Sequence, residues 1–382
     1  MTIVVSNVRQ EDDGEYFDLV ADVEFESRRR PLRMRRFGNH PDLRKGAPHL
    51  DPFAVMLLMP AMIRGEDLVL EGSVDENLLY NLSGLVQNVF RIRWPQWSKI
   101  QVSADPRVSE VGPSTSRGVA AGFSGGVDSM QLFQHCYLDS QVPDNMRLNL
   151  LLHHHVGAHC DSDTLFRESL AHVQNWADRH GLPLVGTICD MDPYYHGMEF
   201  LDSSIPRNVA AALSLSHLYH TFLYAGAVRL EGDRRGQLPK ATDYLTTMLL
   251  PLFGTRHHSM RQIGGEYSRL EKTLQVLRDD RLTDDLHVCA RPAAKRTGFL
   301  NCGTCGKCVK LLVVAEQIGR LDRLEKLYDL DSFHRRRTRC LTNLFYTGLT
   351  RRSVSSTETV RWLKREHYPF PHFLRPAVRA LL

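Results

Sequence analysis

At 382 residues and 43.6 kDa, the chain is long enough for a catalytic domain and a smaller companion. Hydrophobic residues at 42% and charged residues at 24% exclude a disordered, collagen-like or low-complexity polypeptide, and a net charge of +4 selects no partner. The longest apolar stretch, Ala210 to Val228, is broken by His217 and His220, and Met1 leads directly into Ile3-Val4-Val5, so neither a membrane span nor a signal peptide is expected.

In chain order, Tyr16–Glu26 and Leu32–Phe37 read as two extended segments with a turn near Arg30-Pro31, a β-hairpin. Pro52–Ile63 reads as a helix, Asp67–Val74 as a strand, Glu76–Ile92 as a second helix and Lys99–Ser103 as a strand, giving a small α+β domain over residues 1–104. Residues 105–117 lose apolar periodicity and are rich in Ser, Pro, Gly and charge, as a linker would be.

From residue 118 short apolar runs alternate with helical patterns: strand Val119–Phe123, helix to Leu138, strand Leu148–Val156, helix Ser162–His180, strand Leu184–Cys189, helix Asn208–Tyr224 and strand Val228–Glu231. This succession predicts an α/β fold, a doubly wound and mostly parallel sheet over residues 118–288. Ligands in such sheets sit beyond the carboxyl ends of the strands, where the loops after Phe123, Val156 and Cys189 converge.

Ser124-Gly125-Gly126-Val127-Asp128-Ser129 follows the first of these strands and opens the first helix. Adjacent glycines let backbone N–H groups approach an anion, Ser124 and Ser129 add hydroxyl donors, and a helix N-terminus adds a favourable dipole. The alternative is an ordinary Gly-rich turn with Ser and Asp as caps. The Lys of a Walker loop is missing, so terminal phosphoryl transfer is not indicated. Mg²⁺ commonly neutralises phosphate charge, and Asp128 is the nearest carboxylate that could help hold it.

Eight cysteines are present, and four of them crowd between Cys289 and Cys308. Cys289, Cys302, Cys305 and Cys308 match a tetrahedral Zn²⁺ shell, with Gly303 and Gly306 allowing the tight turns between ligands. A full thiolate shell leaves no open position, so structural zinc is expected over residues 289–325, followed by a helical tail over 326–382. An Fe–S cluster and a redox-active thiol pair are the alternatives. Cys136, Cys160, Cys189 and Cys340 are scattered and read as small buried hydrophobes. Clustered thiols without a leader point to a reducing compartment, hence a cytoplasmic location.

The S-G-G-x-D-S hexad resembles the pyrophosphate loop of the ATP pyrophosphatase (PP-loop) superfamily, which implies ATP binding by Ser124 to Ser129 and cleavage between the α and β phosphates. Together with the four cysteines, and with Ile205-Pro206-Arg207-Asn208 between them, it resembles the QueC family of 7-cyano-7-deazaguanine synthases over Gly118 to Leu324, more than half of the chain. The resemblance implies an ATP-dependent C–N ligase that activates a carboxylate, in that family on a 7-deazaguanine, and joins it to ammonia or another amine. Asp128 and Arg207 would then be catalytic, Arg207 facing phosphate or carboxylate oxygens, with Asn208 fixing it or the nucleotide. The segment His153-His154-His155-Val156-Gly157 departs from that family's Tyr-Gly-Gln pattern, Asp243-Tyr244 is a faint counterpart of its substrate loop, and the first hundred residues have no equivalent there. These departures point to a diverged relative, as in antiviral defence operons or specialised biosynthetic clusters. A tRNA-modifying PP-loop enzyme and a nucleotide-binding scaffold that docks protein partners through its amino-terminal unit are the competing readings.

Weaker signals complete the reading. His153, His154 and His155 alternate faces on a strand and cannot all reach one ion, though His154, or His153 with His155, could reach the nucleotide. Asp190, Asp192 and Glu199 fall where a substrate loop should lie, and Glu231 and Asp233 close the following strand. Arg28, Arg29, Arg30, Arg33, Arg35 and Arg36 form one basic cluster and Arg335, Arg336, Arg337 and Arg339 another, either solvated faces or a surface for nucleic acid.

Overall fold

A computed structural model describes residues 2–107, 118–158, 162–195, 197–229, 245–291, 298–350 and 353–374. Its elements in chain order begin with β1 (Thr2–Asp12), β2 (Phe17–Phe25), β3 (Arg28–Gly38), α1 (Asp51–Arg64), β4 (Asp67–Asp75), α2 (Glu76–Ser83), α3 (Leu85–Arg93) and β5 (Val102–Arg107). There follow β6 (Val119–Gly122), α4 (Val127–Phe133), β7 (Leu150–Leu152), α5 (Asp163–Arg179), β8 (Leu184–Ile188), α6 (Phe200–Leu213), β9 (Thr221–Ala225), α7 (Thr246–Leu252), β10 (Ser259–Ile263) and α8 (Arg269–Arg278). The chain closes with α9 (Asp280–Thr283), α10 (Gly306–Gln317), α11 (Leu330–Arg335), α12 (Arg337–Leu349) and α13 (Val354–Arg365).

Among the described residues ten strands form one sheet in the order β10-β9-β6-β7-β8-β3-β2-β1-β4-β5. The α/β half is parallel from β10 through β8, and β6 lies between β7 and β9. Strand order therefore reverses beside β6, and the loops after β6 and β9 part there to leave a crevice. The amino-terminal strands continue the same sheet through an antiparallel seam between β3 and β8, Arg35 opposite Ile188 and Gly38 opposite Val185.

Alternation along the strands separates two apolar layers. Val119 and Ala121 of β6, Leu151 of β7 and Leu223 of β9 pack with α4, α5, α8 and α10 on one face. Ala120, Leu150, Leu152 and Phe222 pack with α1, α6 and α7 on the other. α1 is buried along its whole length except Ile63 and Arg64, and it lies against both α6 and the amino-terminal strands. One core therefore runs beneath both halves of the sheet.

Several sequence expectations shift. The hairpin turn falls at Glu26 and Ser27, both in the left-handed region at φ 53 and 59, not at Arg30-Pro31. Pro31 sits inside β3 opposite Asp22, where β3 has no partner on its other side and the missing N–H costs no ladder bond. The helix expected over Glu76–Ile92 is broken at Gly84, whose backbone leaves the helical region at φ −144. β5 runs on to Arg107, past the expected end at Ser103 and into the first residues of the expected linker. The apolar run after Pro206 was expected to be one helix, Asn208–Tyr224; α6 instead starts at Phe200, carries Pro206 inside it and stops at Leu213, and β9 begins at Thr221. Buried helix and buried strand are both continuously apolar, so periodicity alone does not divide them. The expected strand Val228–Glu231 is not a strand at Val228 and Arg229, and its remainder lies outside the described residues.

The seam between the halves leaves no space for a side chain at Gly38. Its φ is +131, and a Cβ there would stand 2.3 Å from the Leu184 carbonyl oxygen and 2.6 Å from Val185 Cα. Gly38→Val should lower stability by about 3 kcal/mol or more, read as a fall in the denaturant midpoint.

Buried imidazoles set the acid response. Burial lowers His217 and His258 to about 4, His153 to about 4 and His154 to about 3, against 6.5 unperturbed. Their contribution is complete above pH 6.5 and is lost as pH falls toward the folded values, because only the unfolded chain takes up the protons. Each should cost roughly 1.4 kcal/mol per pH unit below 6.5. Thermal unfolding midpoints should therefore drop steeply between pH 7 and 5, and a flat profile there would contradict this origin.

Candidate functional site

Ser124–Ser129 lies at the point where the strand order reverses, between β6 and α4. Gly125 takes φ +71, and a Cβ on it would approach the His172 ring at 3.2 Å, so a side chain would both strain the backbone and press on α5. Gly126 is extended at φ −86 and caps α4 without any side-chain acceptor, leaving first-turn amides to what lies beyond. The Ser129 hydroxyl donates to the Gly126 carbonyl at 3.0 Å and accepts from the Ser124 amide at 3.3 Å, pinning the bend from within.

The loop opens into a cavity of about 350 Å³, within the range of small-molecule sites. Its lining includes the apolar or neutral Leu152, Leu165, Phe222, Tyr224, His153, His154 and Asn208. Arg269 of α8 and Lys307 and Lys310 of α10 line it as well. Burial pulls the Lys310 ammonium down to about 8, and the group donates to Ser355 Oγ at 2.8 Å. A polyanion would be drawn toward these cations.

Asp128 is the only acidic residue lining the cavity among the described residues. Its carboxylate pairs with Arg269 at 2.6 Å and faces buried Lys272 at 3.8 Å. Lys272 also donates to the Gly226 carbonyl, and its burial lowers its affinity for the proton. Asp128 is thus held by Arg269 through Oδ2, while its Oδ1 is buried without a hydrogen-bond partner.

Arg207 does not reach the cavity, contrary to the expected catalytic role. It is fully buried on α6, donating to Ser203 Oγ at 2.8 Å, to the Val156 carbonyl at 3.2 Å and to Asp192 Oδ1. Its guanidinium also stacks over Tyr195 at 4.2 Å. These contacts engage Nε and Nη1, so Arg207 and Asp192 clamp the loops after β7 and β8. Asn208, one residue on, does line the cavity while its amide donates to the Ser204 carbonyl at 2.7 Å.

The histidine run divides as alternation requires. His153 and His155 both stack on Phe166, and His153 Nδ1 bonds to the Phe123 carbonyl at 2.8 Å. His154 lines the cavity with both ring nitrogens buried and without a hydrogen-bond partner. Burial keeps it neutral.

Cys289, Cys302, Cys305 and Cys308 come together with their sulfur atoms within 4.8 Å of one another. The Cys305 amide donates to Cys302 Sγ at 3.4 Å. Four thiolates in this cluster could hold a metal ion such as zinc, which binds sulfur near 2.3 Å. A multi-iron cluster, with each thiolate on its own iron, would spread them wider. Cys136, Cys189 and Cys340 are buried and unpaired, and burial pushes the Cys136 thiol up to about 12, as inert packing residues require. Cys160, Glu231, Asp233 and Asp243-Tyr244 lie outside the described residues.

Searches against known protein families, curated proteins and solved structures find no match for this chain. No helix of the described residues is long and apolar enough to cross a membrane.

Half of the basic hairpin's arginines are ion-paired within the sheet, while Arg28 and Arg30 are exposed. Arg29 pairs with Asp22, Arg33 with Glu11 and Asp18, and Arg35 with Asp18, while Arg36 is buried over the Phe17 ring. In the second cluster Arg337 pairs with Glu316. The cations that do face a cavity, Arg269, Lys307 and Lys310, were missed by motif reading. The available signal was Gly306-Lys307-Cys308-Val309-Lys310, two lysines one helical turn apart beside metal-type ligands.

Elemental analysis of the purified chain should find one metal ion per molecule. Cys302→Ser should weaken metal binding by more than the roughly 100-fold that loss of an outer-shell partner costs.

Proposed function

We propose that the chain is an ATP-dependent ligase, releasing AMP and pyrophosphate, that activates a carboxylate and joins it to ammonia or another amine. The observation that supports this most is the position of the S-G-G-x-D-S loop, at the reversal of a parallel sheet and beside a cavity of about 350 Å³ that three cations also line. Ser124, the amides of Gly125 to Ser129, and Arg269, Lys307 and Lys310 would hold the two outer phosphates. Adenine and ribose would lie toward Leu152, Phe222 and Asn208.

In this reading a carboxylate oxygen attacks the α-phosphorus, the α–β bridging bond breaks and pyrophosphate leaves toward these cations. The amine then attacks the acyl carbon, AMP departs with the former carboxylate oxygen, and the amine loses its proton to solvent. Stabilising the leaving pyrophosphate is the electrostatic work asked of the site. A four-cysteine zinc centre would be structural, with no open position for substrate. A 7-deazapurine carboxylate is the acceptor that the resemblance to QueC suggests.

The test offers ATP with a panel of carboxylates, 7-carboxy-7-deazaguanine among them, and ammonia. AMP and pyrophosphate should accumulate, and ¹⁸O in the carboxylate should appear as one ¹⁸O in the phosphate of AMP. Formation of ADP, or AMP without label, would reject the chemistry. Gly125→Val should reduce AMP formation by about 100-fold or more, since the left-handed bend cannot carry a β-branched residue.

A further inference from the structure

We propose that the four-cysteine module forms one wall of a pyrophosphate subsite, so that metal on the cysteines and pyrophosphate in the cavity bind cooperatively. The inference deepens the ligase reading, on which it rests for the identity of the anion.

Three connections join the module to the cavity. Cys289, besides belonging to the sulfur cluster, lines the cavity wall together with Val288 and Ala290. Two residues earlier, the His287 amide donates to the Gly125 carbonyl at 2.8 Å, a direct bond between the cysteine segment and the phosphate loop. Lys307 lies between ligands Cys305 and Cys308 and Lys310 just beyond, so α10, capped by Cys305, carries both ammonium groups from the sulfur cluster to the cavity.

The cavity also contains a buried polar atom with nothing to bind. His287 Nε2 has no hydrogen-bond partner, and the residue is only 7% exposed and lines the cavity, with its backbone carbonyl beside Gly126. A buried orphan polar atom costs free energy unless a ligand or water meets it. Arg269, Lys307 and Lys310 line the same cavity, and it is these cations that favour an anion with several oxygens. Lys307 has no ion pair among the described residues to compete with it.

Without metal, the first turn of α10 loses its tether at Cys305 and Cys308, and both lysines move with it. Metal therefore pre-organises the anion wall. By linkage the anion must hold the metal more tightly by the same factor.

The experiment uses the full metal-loaded chain and inorganic pyrophosphate. Transfer of metal to a chromogenic chelator is followed with and without pyrophosphate at matched ionic strength, and pyrophosphate affinity is measured by calorimetry before and after chelation. Pyrophosphate should slow metal release about tenfold, and metal removal should weaken pyrophosphate binding by a similar factor. Lys307→Ala, an exposed position, and Lys310→Met, which keeps the packed stem, should each retain metal and lose most of the protection. They also report any direct chelation by pyrophosphate. Pyrophosphate that binds without slowing release, or that does not bind the loaded chain, overturns the proposal. Labelled AMP formed with unchanged metal release would sink this coupling and leave the ligase reading standing; coupling without AMP formation would do the reverse.

Discussion

The hydrogen bond from the His287 amide to the Gly125 carbonyl is the contact on which the site depends. It ties the bend after β6 to a segment that arrives from the far side of the chain, two residues before the first cysteine of the cluster. The same bend is backed by the His172 ring, which in turn bonds through Nε2 to the Asp285 carbonyl at 2.7 Å. The His287 amide and the His172 imidazole, itself fixed by the Asp285 carbonyl, thus hold a left-handed glycine in place. The loop's shape is a property of α5 and the 285–289 segment as much as of its own sequence.

Charge within the cavity follows from which elements meet there. Asp128 would make the loop acidic on its own, but α8 supplies Arg269 and Lys272 against it, and α10 adds Lys307 and Lys310 beyond. The sheet contributes neutral groups only, with burial holding His153 and His154 uncharged. Neutral rings and three cations therefore line one cavity. Arg207 spends its charge on Asp192 and donates to the Val156 carbonyl, bracing two loops without lining that cavity.

The amino-terminal strands extend the sheet in place of docking on it. Their inner face shares an apolar layer with α1 and α6, and the Tyr195 hydroxyl donates to the Met56 carbonyl at 2.6 Å across that layer. Their outer face interleaves Arg9, Arg29, Arg33 and Arg35 with Glu11, Asp18 and Asp22. Cross-strand pairing of opposite charges is what makes an Arg-rich hairpin compatible with a folded, water-facing sheet.

Local order carried much of the fold into view. β-then-α succession from Val119, the glycine-rich loop between β6 and α4, and the spacing of Cys302, Cys305 and Cys308 are short-range patterns whose physics is contained within a few residues. They determined the α/β class, the loop and the sulfur cluster. Other features required the tertiary structure. α6 and β9 are both buried and apolar, so only their packing divides them, and Arg207 looked available because nothing in its own helix predicts Asp192 and Val156 as partners. The seam at Gly38, the cations that line the cavity and the tie from His287 to Gly125 all join residues far apart in the chain. Such contacts depend on which surfaces the sheet order brings face to face, and a one-dimensional pattern has no means of specifying that.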